Sequence, residues 1–338
     1  MRQCIGDFFS WKTGLKYQYF KILFVCLLGT HHPSASFAEI DKGVFKSDFE
    51  KFVDHSNEPL PESVIKAHEN TIFIFVTGLA GNKMPDVFSE AASVLGGEGP
   101  RALFVRPPDN QSLAQNTEFV RQSWTNIVQN ADPKSNFIIM GSSAGSVEAW
   151  SALKLNPELF GDRLLGAIFL QGPFGGTPFA DLVVQDNPLE ALPPPTRPLE
   201  GVARKAAIRR FSSPKVRPKM QSMTTTVATE HTLQVLEQAP TSEFLPDEKL
   251  LYFTSTRDPL PFLQRFWPGI NQKMHVCGRI VSRLSEGPND GLVPLPLQIP
   301  PGGEPRSVYF PGINHLEMIE SKLGRALAKA ALTSTVPK

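Results

Sequence analysis

Phe137-Ile138-Ile139-Met140-Gly141-Ser142-Ser143-Ala144-Gly145-Ser146-Val147-Glu148-Ala149-Trp150 is the stretch from which the fold is read. Its first four residues form an apolar run without polar interruption, the pattern of a buried strand. From Ser146 onward, Val147, Trp150, Leu153 and Leu155 fall at helical spacing. Gly-Ser-Ser-Ala-Gly stands between the two. A strand that turns sharply into a helix through G-x-S-x-G pushes the middle side chain out above the sheet, because the glycines allow backbone to approach closely. Ser143 is therefore the candidate nucleophile. The plainer alternative is an ordinary strand-to-helix loop in which Ser142 or Ser146 caps the helix.

The flanking sequence repeats this alternation. Thr71 to Thr77 is β-branched and aromatic, as in a central strand, and ends in Gly78-Leu79-Ala80-Gly81. Met84 to Leu95 predicts a helix, Ala102 to Val105 a strand, and Leu113 to Val128 a second helix. Leu164 to Gln171 predicts a strand running into Gly172-Pro173-Phe174-Gly175-Gly176-Thr177-Pro178. Strands follow at Lys249 to Thr254 and Arg306 to Phe310, before an amphipathic helix from Leu316 to Leu332. Strands alternating with helices predict an α/β domain over residues 71–335, with a mainly parallel central sheet and helices on both faces. Ligand chemistry in such sheets collects at the carboxyl ends of the strands, where Gly78, Ser143 and Gly172 fall.

Residues 1–38 read as a secretory signal. Arg2, Lys12, Lys16 and Lys21 precede the apolar run Ile22 to Leu28, and Ser36-Phe37-Ala38 offers small residues to a signal peptidase. The run is far shorter than the roughly 20 residues of a spanning helix. Cys26 raises a lipoprotein reading, but Phe24 and Val25 are bulky where small residues are expected. Cleavage near Ala38 leaves Cys277 as the sole cysteine, so an internal disulfide is excluded and a periplasmic or extracellular enzyme with a self-sufficient core is expected. Cys277 reads as structural, since His275 is too near in sequence to face it across a site. Residues 39–70 form a lead segment in which Phe45, Phe49, Phe52 and Val53 suit a short amphipathic helix.

From about 182 to 246 the pattern fails. Pro188, Pro193, Pro194, Pro195, Pro198, Pro214 and Pro218 interrupt it, as in an inserted lid or a partly disordered connection. Its basic residues Arg204, Lys205, Arg209, Arg210, Lys215, Arg217 and Lys219 read as solvated surface. The whole chain carries 34 basic and 33 acidic residues, which gives no electrostatic case for nucleic acid.

A nucleophilic serine needs a base, and the base needs a carboxylate to fix its tautomer. His55, His68, His231, His275 and His315 remain after cleavage. Of these His315 follows a predicted strand through Pro311-Gly312-Ile313-Asn314 and opens the last helix. Asp290, in Pro288-Asn289-Asp290-Gly291-Leu292-Val293, is the preferred acid. Asp258, directly after the strand at 250–254, is the alternative, and both satisfy the order Ser, Asp, His.

As an ordered set these motifs resemble the α/β-hydrolase fold, and within it the secreted bacterial triacylglycerol lipases and esterases. The matching residues are Gly78-Leu79-Ala80-Gly81, Gly141 to Gly145, Gly175 to Asp181, Asn289-Asp290-Gly291-Leu292-Val293 and Asn314-His315-Leu316. Ser222-Met223-Thr224-Thr225 adds a segment that lies beneath the lid in that family. The resemblance implies oxyanion donors at the Leu79 and Ala144 N–H groups. Thr77 departs from it, standing where the family has histidine, which bears on how the first turn is placed. No acidic cluster reproduces a family calcium site, so neither metal nor cofactor is expected. The implied activity is hydrolysis of lipid-like carboxylic esters, with an apolar acyl pocket under the 182–246 segment and Pro173, Phe174 and Phe179 near its base. Transient contact with a lipid interface goes with that activity, and no stable protein partner is expected. An acyltransferase, thioesterase or amidase on the same triad is the alternative, and a non-catalytic binding protein of this fold a further one.

Overall fold

The computed structural model describes residues 39–79, 88–95, 100–192, 198–258, 270–317 and 321–335. Among the described residues six strands make one sheet: β1 (Thr71–Val76), β2 (Arg101–Val105), β3 (Asn136–Ser142), β4 (Leu164–Leu170), β5 (Leu250–Thr256) and β6 (Ser307–Pro311). Their order is β2-β1-β3-β4-β5-β6. Every pairing is parallel.

The helices in chain order are α1 (Lys42–Asp54), α2 (Glu62–Ala67), α3 (Ser89–Ser93), α4 (Leu113–Asn130), α5 (Ala144–Leu155) and α6 (Pro178–Val183). They continue with α7 (Pro198–Phe211), α8 (Arg217–Ser222), α9 (Thr225–Gln238), α10 (Ile270–Leu284) and α11 (Ser321–Ser334). The helix expected over Met84 to Leu95 is described only from Phe88, and α3 is its described part.

β1, β4 and β5 are buried along their whole length. Side chains alternate across a strand, so a sheet covered on both faces makes β1 and β4 almost wholly apolar, while β5 turns polar at its carboxyl end with Thr254, Ser255 and Thr256. Ile72, Ile74 and Val76 of β1 join Phe137, Ile139, Ala167 and Phe169 in one core with Trp124 of α4 and Trp150 of α5. Phe73 and Phe75 join Ile138, Met140, Ile168, Leu170 and Phe253 in the other, completed by Phe45, Phe49 and Phe52 of α1 and the alanine-rich α11. Phe49 meets Phe253 and Phe310 edge-on and tilted, at centroid distances of 5.4 and 4.7 Å. The lead segment thus supplies core.

The described part of the 182–246 segment is largely helical. It carries α7, α8 and α9, and Met220, Met223, Ala228 and Val235 lie in the first core. Its prolines mislead because of where they stand. Pro198 opens α7 and Pro218 sits in the first turn of α8, positions whose N–H groups need no helical partner. The basic residues are not uniformly solvated either: Lys219 is fully buried and Arg204 nearly so, whereas Lys205, Arg209 and Arg210 are exposed.

Candidate active site

β3 ends at Ser142 and α5 begins at Ala144, so Ser143 alone makes the turn, with φ 55° and ψ −132°. A non-glycine residue held in that region is strained by on the order of 1–3 kcal/mol, which the surroundings must over-determine. They do so on both sides. The Ser143 N–H donates to Leu170 O at 2.9 Å and its carbonyl accepts from Ser146 N at 2.9 Å. A Cβ on Gly141 would stand 2.7 Å from Ser146 Cα, and one on Gly145 would stand 2.5 Å from Val76 O. Only glycine fits at either position.

The histidine comes from the far side of the sheet. β6 ends at Pro311, Gly312 turns the chain at φ 81°, and His315 follows three residues on. His315 Nε2 is 2.8 Å from Ser143 Oγ, and Nδ1 is 2.8 Å from Asp290 Oδ2. A carboxylate only accepts, so Nδ1 carries the proton and Nε2 faces the serine with its lone pair.

Asp290 is held as firmly as the imidazole it meets. Its Oδ1 accepts from the N–H groups of Leu292 and Val293 at 2.9 and 2.8 Å, which leaves Oδ2 for His315. Its carbonyl accepts from His315 N at 2.8 Å, so the two loops are joined through backbone as well as side chain. Asn289 shapes the turn by accepting from Gly291 N at 3.0 Å. Asp258 is exposed, with its carboxyl beside Gly312, where an added Cβ would stand 2.9 Å from Oδ2. Of the two aspartates considered from sequence, Asp290 is the one on the imidazole.

The turn after β1 packs directly on the serine. A Cβ on Gly78 would stand 2.8 Å from both Ser142 O and Ser143 Cβ, and 3.2 Å from Ala144 N. Such contact sets the next peptide, that of Leu79, beside the elbow. Thr77 is buried, donates its N–H to Val105 O at 3.1 Å, and keeps a hydroxyl without a hydrogen-bond partner among the described residues. Ala80 and Gly81 of the same motif lie outside the described residues.

Sequence reasoning missed the network that supports the two loops from below. The Gln171 amide donates to Ser255 Oγ at 2.5 Å, and the Ser255 hydroxyl donates to Ile313 O at 2.8 Å, two residues before the histidine. Gln298 accepts from Ser255 N and donates to Ser255 O and Val293 O, spanning the β5 end and the acid loop. All three side chains are buried. A serine and two glutamines in unremarkable contexts give no motif to find.

Phe174 and Phe179 are both buried. Phe174 is inside the core against Trp150, Phe169 and Tyr252, and Phe179 meets Phe211 edge-on at 5.2 Å. Cys277 is also buried inside α10, where desolvation pushes its thiol up to about 12. Among the described residues no group of three or more His, Cys, Asp or Glu could hold a metal ion.

No family model matches the chain, and no curated protein matches its sequence. Solved structures do match. The Bacillus licheniformis lipase BlEst2 in its mature form is 18% identical with a TM-score of 0.52, over 78% of this chain and 90% of that one. The metagenomic carboxyl esterase MGS0156 is also 18% identical with a TM-score of 0.52, over 83% of this chain and 79% of that one. The chain has the α/β-hydrolase fold.

Proposed function

We propose that the protein is a serine hydrolase of carboxylic esters. The observation that carries this reading is the continuous line from Ser143 Oγ through His315 to Asp290, each contact 2.8 Å, at the carboxyl ends of β3, β6 and the acid loop. The names of the two structural neighbours, a lipase and a carboxyl esterase, agree with it.

In this mechanism Ser143 Oγ attacks the ester carbonyl carbon as His315 Nε2 takes the hydroxyl proton. Asp290 holds the imidazole in place and balances the imidazolium. The carbonyl oxygen becomes an oxyanion facing the N–H groups of Leu79 and Ala144, and each such donor supplies roughly 3–4 kcal/mol to the transition state in serine hydrolases. His315 then passes its proton to the alkoxy oxygen, the C–O bond breaks and the alcohol leaves an acyl-Ser143. Water repeats the sequence: His315 removes its proton, the hydroxide adds to the acyl carbon, and the proton returns to Ser143 Oγ as the acid departs. Export before action belongs to the same proposal and rests on Ile22 to Leu28 and Ser36-Phe37-Ala38. Amino-terminal sequencing of the exported chain is expected to begin at Glu39.

The decisive test pairs p-nitrophenyl butyrate hydrolysis with labelling by a fluorophosphonate. Wild-type protein is expected to hydrolyse the ester and to be labelled at Ser143, and Ser143→Ala to do neither. Undiminished hydrolysis by Ser143→Ala would sink the assignment.

A further inference from the structure

The segment from Ser212 to Gln238 is tied to the domain at every level. α8 is fixed at its end, where Ser222 Oγ accepts from Leu113 N at 3.0 Å and Met223 O accepts from Thr177 N at 3.0 Å. α9 starts on Asp181, whose two oxygens accept the N–H and hydroxyl of Thr225 at 2.9 and 2.8 Å. Along α9, the Thr232 hydroxyl donates to Phe174 O at 2.7 Å, and His231 Nε2 lies 3.1 Å from Ser151 Oγ of α5. Gly176, at φ 75°, lets the chain cross so near that a Cβ there would stand 2.5 Å from Thr224 O.

The central tie is electrostatic. Lys219 of α8 and Glu148 of α5 are both fully buried, with Nζ 3.0 Å from Oε1. Asn116 of α4 donates to the same Oε1 at 2.9 Å. Glu148 stands five residues after Ser143 on the helix that begins at the nucleophile, and residues 144–153 of that helix are all buried. Burial pushes the Glu148 carboxyl upward and the Lys219 charge opposes it. Withdrawing α8 would leave a buried carboxylate without its counter-ion, one of the costliest single changes a core can suffer. With this segment in place Ser143 is still partly exposed.

We propose that residues 212–238 are a fixed wall of the site, latched to the nucleophile helix by Lys219 and Glu148, and that the site takes ester molecules free in solution without opening at a lipid interface. The substrate part of this rests on the ester-hydrolase reading; the wall does not. A segment built into the core cannot be exchanged for an interface, so catalysis follows the concentration of dissolved ester.

Two measurements test the proposal separately. Hydrogen exchange by mass spectrometry on the full chain, with and without Triton X-100 micelles, is expected to show amides of 218–238 as protected as those of 146–155, and unchanged by micelles. Exchange accelerated tenfold or more by micelles in 218–238 alone overturns the wall. Hydrolysis of tributyrin across its solubility limit is expected to stay hyperbolic, and a severalfold rise at the onset of emulsion overturns the dissolved-substrate conclusion. Lys219→Met is expected to raise exchange in 218–238 more than in 146–155, and Lys219→Met with Glu148→Leu to restore it. Unaltered exchange in Lys219→Met removes the latch. Absence of both ester turnover and fluorophosphonate labelling would instead count against the hydrolase reading, with the exchange arm still deciding the wall.

Discussion

Gly145 lies so close to the Thr77 peptide that a Cβ on it would stand 2.7 Å from both Thr77 C and Thr77 O. The turn carrying Ser143 and the turn carrying the Leu79 N–H are thus seated on each other through bare backbone. An added methyl group must push them apart, and displacement by about 1 Å in a catalytic constellation costs on the order of 10²-fold in rate. Gly145→Ala is expected to lower kcat on p-nitrophenyl butyrate by about that factor, with KM much less affected. Steady-state kinetics check it, and a wild-type kcat would show that the two turns are not coupled.

Asp290 and Asp258 make opposite forecasts. Asp290 is fully buried on the His315 imidazole, so Asp290→Asn presents an amide where Nδ1–H needs an acceptor and favours the wrong tautomer. A loss on the order of 10⁴-fold in kcat is expected. Asp258 is exposed, and Asp258→Asn is expected to leave kcat within about twofold. The same p-nitrophenyl butyrate assay on both variants decides between them.

What was legible in the sequence follows from which signals are local. The strands were readable because a sheet covered on both faces makes Ile72 to Val76 or Leu164 to Leu170 apolar without a break. Ser143 was readable because the elbow's crowding demands Gly141 and Gly145. The helices of the 182–246 segment were not legible because Pro198 and Pro218 act as helix openers there, and proline count does not reveal position within a helix. Lys219 looked like surface because a buried lysine is recognisable only through its partner, and Glu148 lies far off in sequence. The Gln171, Ser255 and Gln298 network was invisible for the same reason: its bonds join residues 43 and 84 positions apart.

A pH dependence of stability follows from His68. Its ring is buried, with Nδ1 3.1 Å from Thr71 Oγ1 and Nε2 2.9 Å from Leu332 O, which joins β1 to α11. Desolvation lowers its pKa from the ordinary 6.5, against the opposing pull of the Leu332 carbonyl, and burial lowers that of His231 likewise. A lowered folded-state pKa means that the unfolded chain binds more protons as pH falls. The stabilisation is therefore complete above about pH 6.5 and is lost as pH drops through the folded value, at no more than about 1.4 kcal/mol per pH unit for each histidine. Thermal melts from pH 8 to 4.5 are expected to show Tm declining below about pH 6.5, and His68→Gln to show a shallower decline. Equal slopes would remove His68 from this account.

Cys277 is expected to be inert in the folded protein. The thiolate is the reactive form, and burial in α10 both hides the sulfur and pushes its pKa up to about 12. In a chain with Cys4→Ser and Cys26→Ser, Ellman's reagent at pH 8 is expected to find no thiol until denaturant is added, and then one. Rapid reaction in the native state would mean that α10 opens readily.

Lys219 and Glu148 make a stability forecast distinct from their effect on exchange. A buried ion pair costs both partners their hydration, so its net contribution is small, yet removing one member strands the other. Lys219→Met leaves the Glu148 carboxylate with the Asn116 amide as its remaining hydrogen-bond donor among the described residues, and Glu148 Oε2 already lacks a hydrogen-bond partner there. Urea unfolding of Lys219→Met is expected to show a loss of about 3–5 kcal/mol. Adding Glu148→Leu removes the stranded charge and fills the space with a side chain of similar size, so the double variant is expected to recover most of that loss. The Asn116 amide keeps its bond to Pro108 O at 3.0 Å in either background, which limits the remaining penalty to one of its two donors. A coupling energy near zero in this double-mutant cycle would mean that the wall is held by α9 and the apolar contacts of Met220 and Met223 instead, with the buried charges as bystanders.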